Sequence, residues 1–246
     1  MLKLAGKKAL VTGASRGIGA AIVRRLAAEG ADIAFTYQRS AEAAQALARE
    51  IEALGRKVVA LQADSAEPAA VQRSVSATVE QLGGLDILVN NAGIARGGPL
   101  EEMALEDIDA LLNVNIRAVV LATRAAIPHL PRGGRIVNIG SNLAERVAYG
   151  GVTVYSMTKS ALSSLTKGLA RDLGPRGIAV TLVNPGSTDT DMNPANGPRA
   201  EKQRGLSALG HYGKAEDIAA AVAFLVGPDA AHVTGTSLTV DGGQNA

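Results

Sequence analysis

Short apolar runs alternate with longer amphipathic stretches almost from end to end of the chain. KKALVT (7–12), ADIAFTY (31–37), RKVVALQ (56–62), LDILVN (85–90), GRIVNIG (134–140), IAVTLVN (178–184) and SLTVDG (237–242) carry no regular polar alternation. That is the pattern of strands buried on both faces. Between them, apolar residues recur at helical spacing over 17–29, 40–54, 68–82, 106–130, 155–173 and 215–226. Pro68 and Asp107 mark helix starts, and Gly30, Gly55 and Gly83 stand where helices should stop. Strands joined by helical crossovers predict an α/β, doubly wound Rossmann-type fold with seven parallel strands and helices on both faces. Only 186–212, rich in Pro, Gly, Asn and Ser, breaks this rhythm, and its length predicts a lid over a substrate. One domain over 1–246 is expected, with nucleotide binding in about 1–140 and catalysis in about 141–246.

Composition narrows the functional classes. Of 246 residues, 47% are apolar and 20% charged, with a net charge of +2, too little to suggest nucleic-acid binding. The absence of cysteine excludes disulfides, thiolate chemistry and cysteine-ligated metal. His129, His211 and His232 show no metal-ligand spacing, so no metal is expected, and no GxSxG elbow marks a hydrolase. The short apolar run at the N-terminus is unlike a signal peptide, and no run has membrane-spanning length. The expectation is a soluble, cytoplasmic protein without a membrane or nucleic-acid partner.

Candidate chemistry begins where the first strand meets the first helix. VTGASRGIG places Gly13, Gly17 and Gly19 in that turn, where bare backbone lets a pyrophosphate reach N–H groups at the positive end of a helix. The spacing is GxxxGxG, and tight helix–strand packing would use the same glycines. An NAD site places an acid about 20 residues beyond the glycines. Here the second strand ends Thr36-Tyr37-Gln38-Arg39-Ser40, with Asp32 too early and Glu42 too late. Arg16 and Arg39 could flank a 2′-phosphate, which points to NADPH/NADP. Asp64 is placed to accept from an adenine amino group, and VNNAG (89–93) to line a ribose.

Tyr155 and Lys159 stand one helical turn apart in a chain with four tyrosines. They are either neighbours on an exposed face or a proton donor tuned by a fixed cation.

TGASRGIG at 12–19, NNAG at 90–93, GS at 140–141, YSMTK at 155–159, NPGSTDT at 184–190 and DGG at 241–243 form an ordered set. With it the chain resembles the short-chain dehydrogenase/reductase family over essentially its whole length. Within that family it is similar to 3-oxoacyl-[acyl-carrier-protein] reductases. It also resembles a bacterial branch of cyclic-di-GMP-binding biofilm dispersal mediators and small-ketone reductases. The resemblance implies an oxidoreductase acting on C=O and CH–OH groups.

In that reading Tyr155 is the general acid, and Lys159 lowers its pKa and holds the nicotinamide ribose. Ser141 binds the substrate oxygen, while Asn115, with Asn113 as rival, holds a water in a proton relay. Implied cofactor contacts are Gly13, Ser15, Arg16, Gly17, Ile18, Gly19, Tyr37, Arg39, Asp64, Asn91, Ala92, Gly93, Pro185, Gly186, Thr188 and Thr190, besides Tyr155 and Lys159. Substrate should meet Ser141, Leu143, Tyr149 and Met192, with Ala144 and Glu145 nearby. Ser141 and Tyr155 lie fourteen residues apart, one more than in many acyl-carrier reductases. Implied partners are a small carbonyl compound and copies of the chain in a homotetramer built on 106–130, 155–173 and the last strand. An acyl carrier protein docking on Arg132 and Arg176, and a cyclic dinucleotide, are the further implied partners.

Overall fold

The computed structural model describes residues 2–246. In chain order it contains β1 (Lys8–Val11), α1 (Gly17–Ala28), β2 (Asp32–Tyr37), α2 (Ala41–Ala53), β3 (Val58–Gln62), α3 (Pro68–Leu82) and β4 (Ile87–Asn90). Then follow α4 (Leu105–Leu112), α5 (Ala118–Ala126), β5 (Arg135–Ile139), α6 (Thr153–Leu173), β6 (Ala179–Pro185), α7 (Ala200–Leu206), α8 (Ala215–Val226) and β7 (Ser237–Val240). All seven strands join one parallel sheet in the order β3-β2-β1-β4-β5-β6-β7. The chain winds outward from β1 in both directions, which opens a crevice at the C-terminal ends of the central strands.

Alternate residues of each strand feed two cores. Ala9, Val11, Ile33, Phe35, Val89 and Val137 pack with α1, α2 and α8. Leu10, Ala34, Leu88, Ile136 and Val180 pack with α3, α5 and α6 on the other face. Both faces are apolar because both are covered, which explains the missing polar alternation. Pro68 opens α3 and Gly83, at φ +76°, closes it in the left-handed region.

One expectation needs correction. The run read as one helix over 106–130 starts at Leu105, after an extended Ala104, so Asp107 lies inside its first turn. It is then interrupted by a π turn at Asn113–Arg117 and ends in a 3₁₀ turn at Ile127–His129. By length and apolarity Leu105–His129 could cross a membrane, yet it packs against α3 and α6. The segment 186–212 holds a helix, α7, and its Thr188 bridges in parallel to Gly213.

Candidate active site

The first wall of the crevice is the turn between β1 and α1. Gly13 and Gly17 have φ of +63° and +55°, and α1 begins with no side-chain cap and no acid in its first turn. Its opening N–H groups are therefore free to meet an anion. A Cβ at Gly13 would lie 2.8 Å from Ala92 Cα, and one at Gly19 would lie 2.5 Å from Asn91 Nδ2. Asn91 closes this turn from below, with Nδ2 donating to the Thr12 and Gly13 carbonyls at 2.9 Å each. Its Nδ2 is thus spent on the turn. The backbone N–H groups of Asn91 and Ala92 both donate to Thr12 Oγ1 at 3.0 Å.

At the far end of the turn, Arg39 is exposed, and Arg16 pairs across the cleft with Asp191 at 3.4 Å. Asp64 is already engaged, accepting from Gln38 Nε2 at 2.7 Å and from Ala66 N at 2.8 Å.

The second wall comes from β5, the π turn and α6. Ser141 follows β5 in extended backbone, and its Oγ accepts from Leu143 N at 3.2 Å, leaving its O–H to donate elsewhere. Asn115 is buried at the π turn, where Oδ1 accepts from Ile94 N at 2.9 Å and Nδ2 donates to Ile94 O at 3.0 Å and Thr158 Oγ1 at 3.1 Å. Thr158 Oγ1 in turn donates to the Tyr155 carbonyl at 2.7 Å. A Cβ at Gly93 would sit 3.3 Å from Lys159 Nζ and 3.4 Å from Asn115 Oδ1, so glycine keeps these two groups together.

Burial dominates the electrostatics here. Burial raises the Tyr155 phenol above its ordinary value near 10; the Ser141 hydroxyl beside it opposes this, and Tyr149 adds to it. Lys159 stands beside the ring. Its Nζ lies 6.0 Å from the ring centroid and donates to the Ile139 carbonyl at 3.0 Å. Burial pushes the Lys159 ammonium itself down to about 8. Loss of hydration is the largest cause at both groups.

These walls bound an open cleft of about 1060 Å³. Every expected cofactor contact lines it, as do Ser141, Leu143, Tyr149 and Met192, while Asn115 stands buried behind it. Thr190 closes on the glycine turn, its Cγ2 lying 3.5 Å from a Cβ placed at Gly17, and its hydroxyl accepts from Asn193 N at 3.3 Å. Ala144 and Glu145 fall outside the lining, and Glu145 Oε1 accepts from Asn184 Nδ2 at 3.3 Å. Arg199 and Gln203 of the lid, and Asn142, are lining residues that no motif flagged.

Arg132 and Arg176 precede β5 and β6 and so lie at the N-terminal ends of these strands, opposite the cleft, donating to the carbonyls of Pro175 and of Ile127 and Leu130. Among the described residues no group of three or more His, Asp or Glu side chains could hold a metal ion.

A glycine cradle and a Ser–Tyr–Lys cluster facing one cleft of a doubly wound sheet define a Rossmann-type oxidoreductase. Residues 13–245 match the family model described as enoyl-(acyl carrier protein) reductase. The cyclic-di-GMP-binding biofilm dispersal mediator protein of Escherichia coli is 46% identical over 241 residues, 98% of each chain. A 3-oxoacyl-[acyl-carrier-protein] reductase of Staphylococcus aureus is 39% identical over 241 residues, 97% of this chain and 98% of that one. The crystal structure of a short chain dehydrogenase from Burkholderia cenocepacia in complex with NADP superposes with a TM-score of 0.98 and 61% identity, over 99% of this chain and 100% of that one. The chain belongs to the short-chain dehydrogenase/reductase family.

Proposed function

We propose that the protein is an NADPH-dependent reductase of ketones and aldehydes. The observation that carries this reading is the Ser141 hydroxyl beside the Tyr155 phenol, lining one cleft with the glycine turn. The cradle fits a dinucleotide, because the bare backbone of Gly13, Gly17 and Gly19 lines the cleft at the uncapped, acid-free start of α1. Arg16 and Arg39, with no acid at the end of β2, suit a 2′-phosphate, and the NADP-bound relative supports the same cofactor. In this reading residues up to about 140 hold the nucleotide and the rest bring the chemistry.

When bound, the reduced nicotinamide supplies a hydride to the carbonyl carbon. Ser141 donates to the carbonyl oxygen and stabilises its developing charge. Tyr155, kept protonated by its raised pKa, transfers its proton to that oxygen. Lys159 holds the nicotinamide ribose and steadies the phenolate left behind. Asn115 Oδ1, beside Lys159 and with one lone pair used by Ile94, holds the relay water. Thr188 and Thr190 clasp the carboxamide so that one ring face is offered.

Initial rates with NADPH and NADH over acetoacetyl esters, cyclic ketones, aryl ketones and diketones test the reading. We expect NADPH consumption with at least one class, and Tyr155→Phe should lower kcat by about 10²-fold or more. Full activity of that variant, or no turnover on the whole panel, would overturn it.

The name of the Escherichia coli relative favours a second reading, a cyclic-dinucleotide binder on the same fold. Calorimetry with cyclic-di-GMP, with and without NADPH, decides it, and absence of heat disposes of it. Reduction of carrier-linked 3-oxoacyl groups is less well supported, since Arg132 and Arg176 sit at the N-terminal ends of the strands, away from the cleft.

A further inference from the structure

The last residues after β7, DGGQNA, form a turn that reaches back into the site. Asp241 fixes it, Oδ1 accepting from Gly243 N at 2.9 Å and Oδ2 from Asn245 N at 3.0 Å. Gly242 and Gly243 take φ of +62° and +78°, and Cβ atoms there would fall 2.7 Å from Ser207 Oγ and 2.8 Å from Ala208 Cβ. The chain thus presses close under the lid and delivers Gln244 to a buried place, 6% exposed.

All four hydrogen-bonding positions of the Gln244 amide are used. Oε1 accepts from Asn142 Nδ2 at 2.9 Å and from Ser187 N at 3.1 Å. Nε2 donates to Ser187 Oγ at 2.8 Å and to the Gln203 carbonyl at 3.3 Å. An amide side chain has no further capacity. Its backbone carbonyl accepts from Arg146 Nη1 at 2.8 Å, and Asn245 Nδ2 donates to the Asn142 carbonyl at 2.8 Å. Asn142 directly follows Ser141 and is therefore held at both side chain and backbone. Ser187 lies between Gly186 and Thr188 on the opposite wall of the cleft. Gln203 belongs to α7, where its Oε1 also accepts from Asn193 Nδ2 at 2.9 Å and from the Tyr212 hydroxyl.

We propose that Gln244 is a positioning residue: its amide ties the Ser141 turn, the segment after β6 and the lid into one unit, so that the lid and the Ser141 hydroxyl take up their working places together. A buried amide with half its partners withdrawn is costly. An opened lid therefore pulls on Asn142, and through it on the aim of Ser141. The kinetic part rests on the reductase reading above; the structural part does not.

Gln244→Met keeps the length of the side chain and removes the amide, and Gln244→Glu keeps both acceptor contacts. Hydrogen exchange of the full-length protein without ligand should show peptides over 142–146 and 187–206 exchanging about ten-fold faster in Gln244→Met, with β1 to β4 unchanged. A change confined to residues 241–246, or none, overturns the proposal. With saturating NADPH and the best carbonyl substrate, kcat should fall about ten-fold in Gln244→Met and recover in part in Gln244→Glu. In a Ser141→Ala background the same substitution should change kcat by less than about two-fold. Equal losses in both backgrounds would show that Gln244 does not act through Ser141. Should Gln244→Met fail to fold, Gln244→Glu carries the same comparisons with smaller expected changes. A wild-type protein that reduces nothing refutes the reductase reading, and the exchange experiment still decides the role of Gln244.

Discussion

At Lys159 the physics of burial shows as a shift large enough to measure. An ammonium held near 8 against an ordinary 10.5 binds fewer protons folded than unfolded between those values. Stability therefore rises with pH across that window, and below it the fold bears the whole cost of a buried charge, on the order of 3 kcal/mol. Lys159→Met removes the cost, so at pH 7 the variant should resist urea better than wild type, with the gap closing as pH approaches 10. A gap that stays constant would show that the ammonium is not the source. Tyr155 titrates higher still, so the first group to lose its proton on the alkaline side is Lys159. For carbonyl reduction, kcat/KM should accordingly fall above about pH 8, and the limb should be absent from the residual activity of Lys159→Met. The sequence placed the two side chains a helical turn apart. It could not show how strongly both are desolvated, because that depends on residues from β5 and the π turn closing around them.

Among the elements, the strands were legible because each lies between two covered faces and reads as an unbroken apolar run. The interruption of Leu105–His129 was not. A π turn adds one residue to a helical repeat, and apolar side chains continue on either side of it, so the periodicity hardly registers the change. Its mark in the sequence is Asn115, whose amide bonds both backbone groups of Ile94. Asn115→Ala leaves that N–H and C=O without their partners, which costs about 2 kcal/mol and should lower Tm by roughly 4–8 °C. Asn113→Ala, on the same turn, should shift Tm much less. Equal effects would mean the turn rather than the amide carries the stability. Helix α7 was hidden for a different reason: AEKQRGL buries only Ala200 and Gln203, too little to stand out as a stripe.

On the scale of the whole molecule, the Ser141, Tyr155 and Lys159 that face the cleft were readable because they come in local motifs, whereas the residues that join its walls come from distant parts of the chain. Gln244 meets Asn142 across 102 positions, and Arg16 meets Asp191 across 175, and only the sheet topology brings such pairs together. The Arg16–Asp191 pair is exposed on both sides and is worth little by itself. It nevertheless holds a guanidinium at the mouth of the cleft, where a 2′-phosphate would arrive, and Arg39 stands free nearby. Cofactor binding should therefore register in global stability, since a ligand at about 100 times its Kd adds about 2.7 kcal/mol. For a chain of this size that is a rise of roughly 5–10 °C in Tm with NADPH. NADH lacks the phosphate and should give a clearly smaller rise at equal concentration. Replacing Arg16 and Arg39 together by Ala should erase the difference between the two cofactors and leave the NADH shift in place. If the double variant still distinguishes them, the 2′-phosphate is read elsewhere in the cleft, and the assignment of these two arginines is wrong.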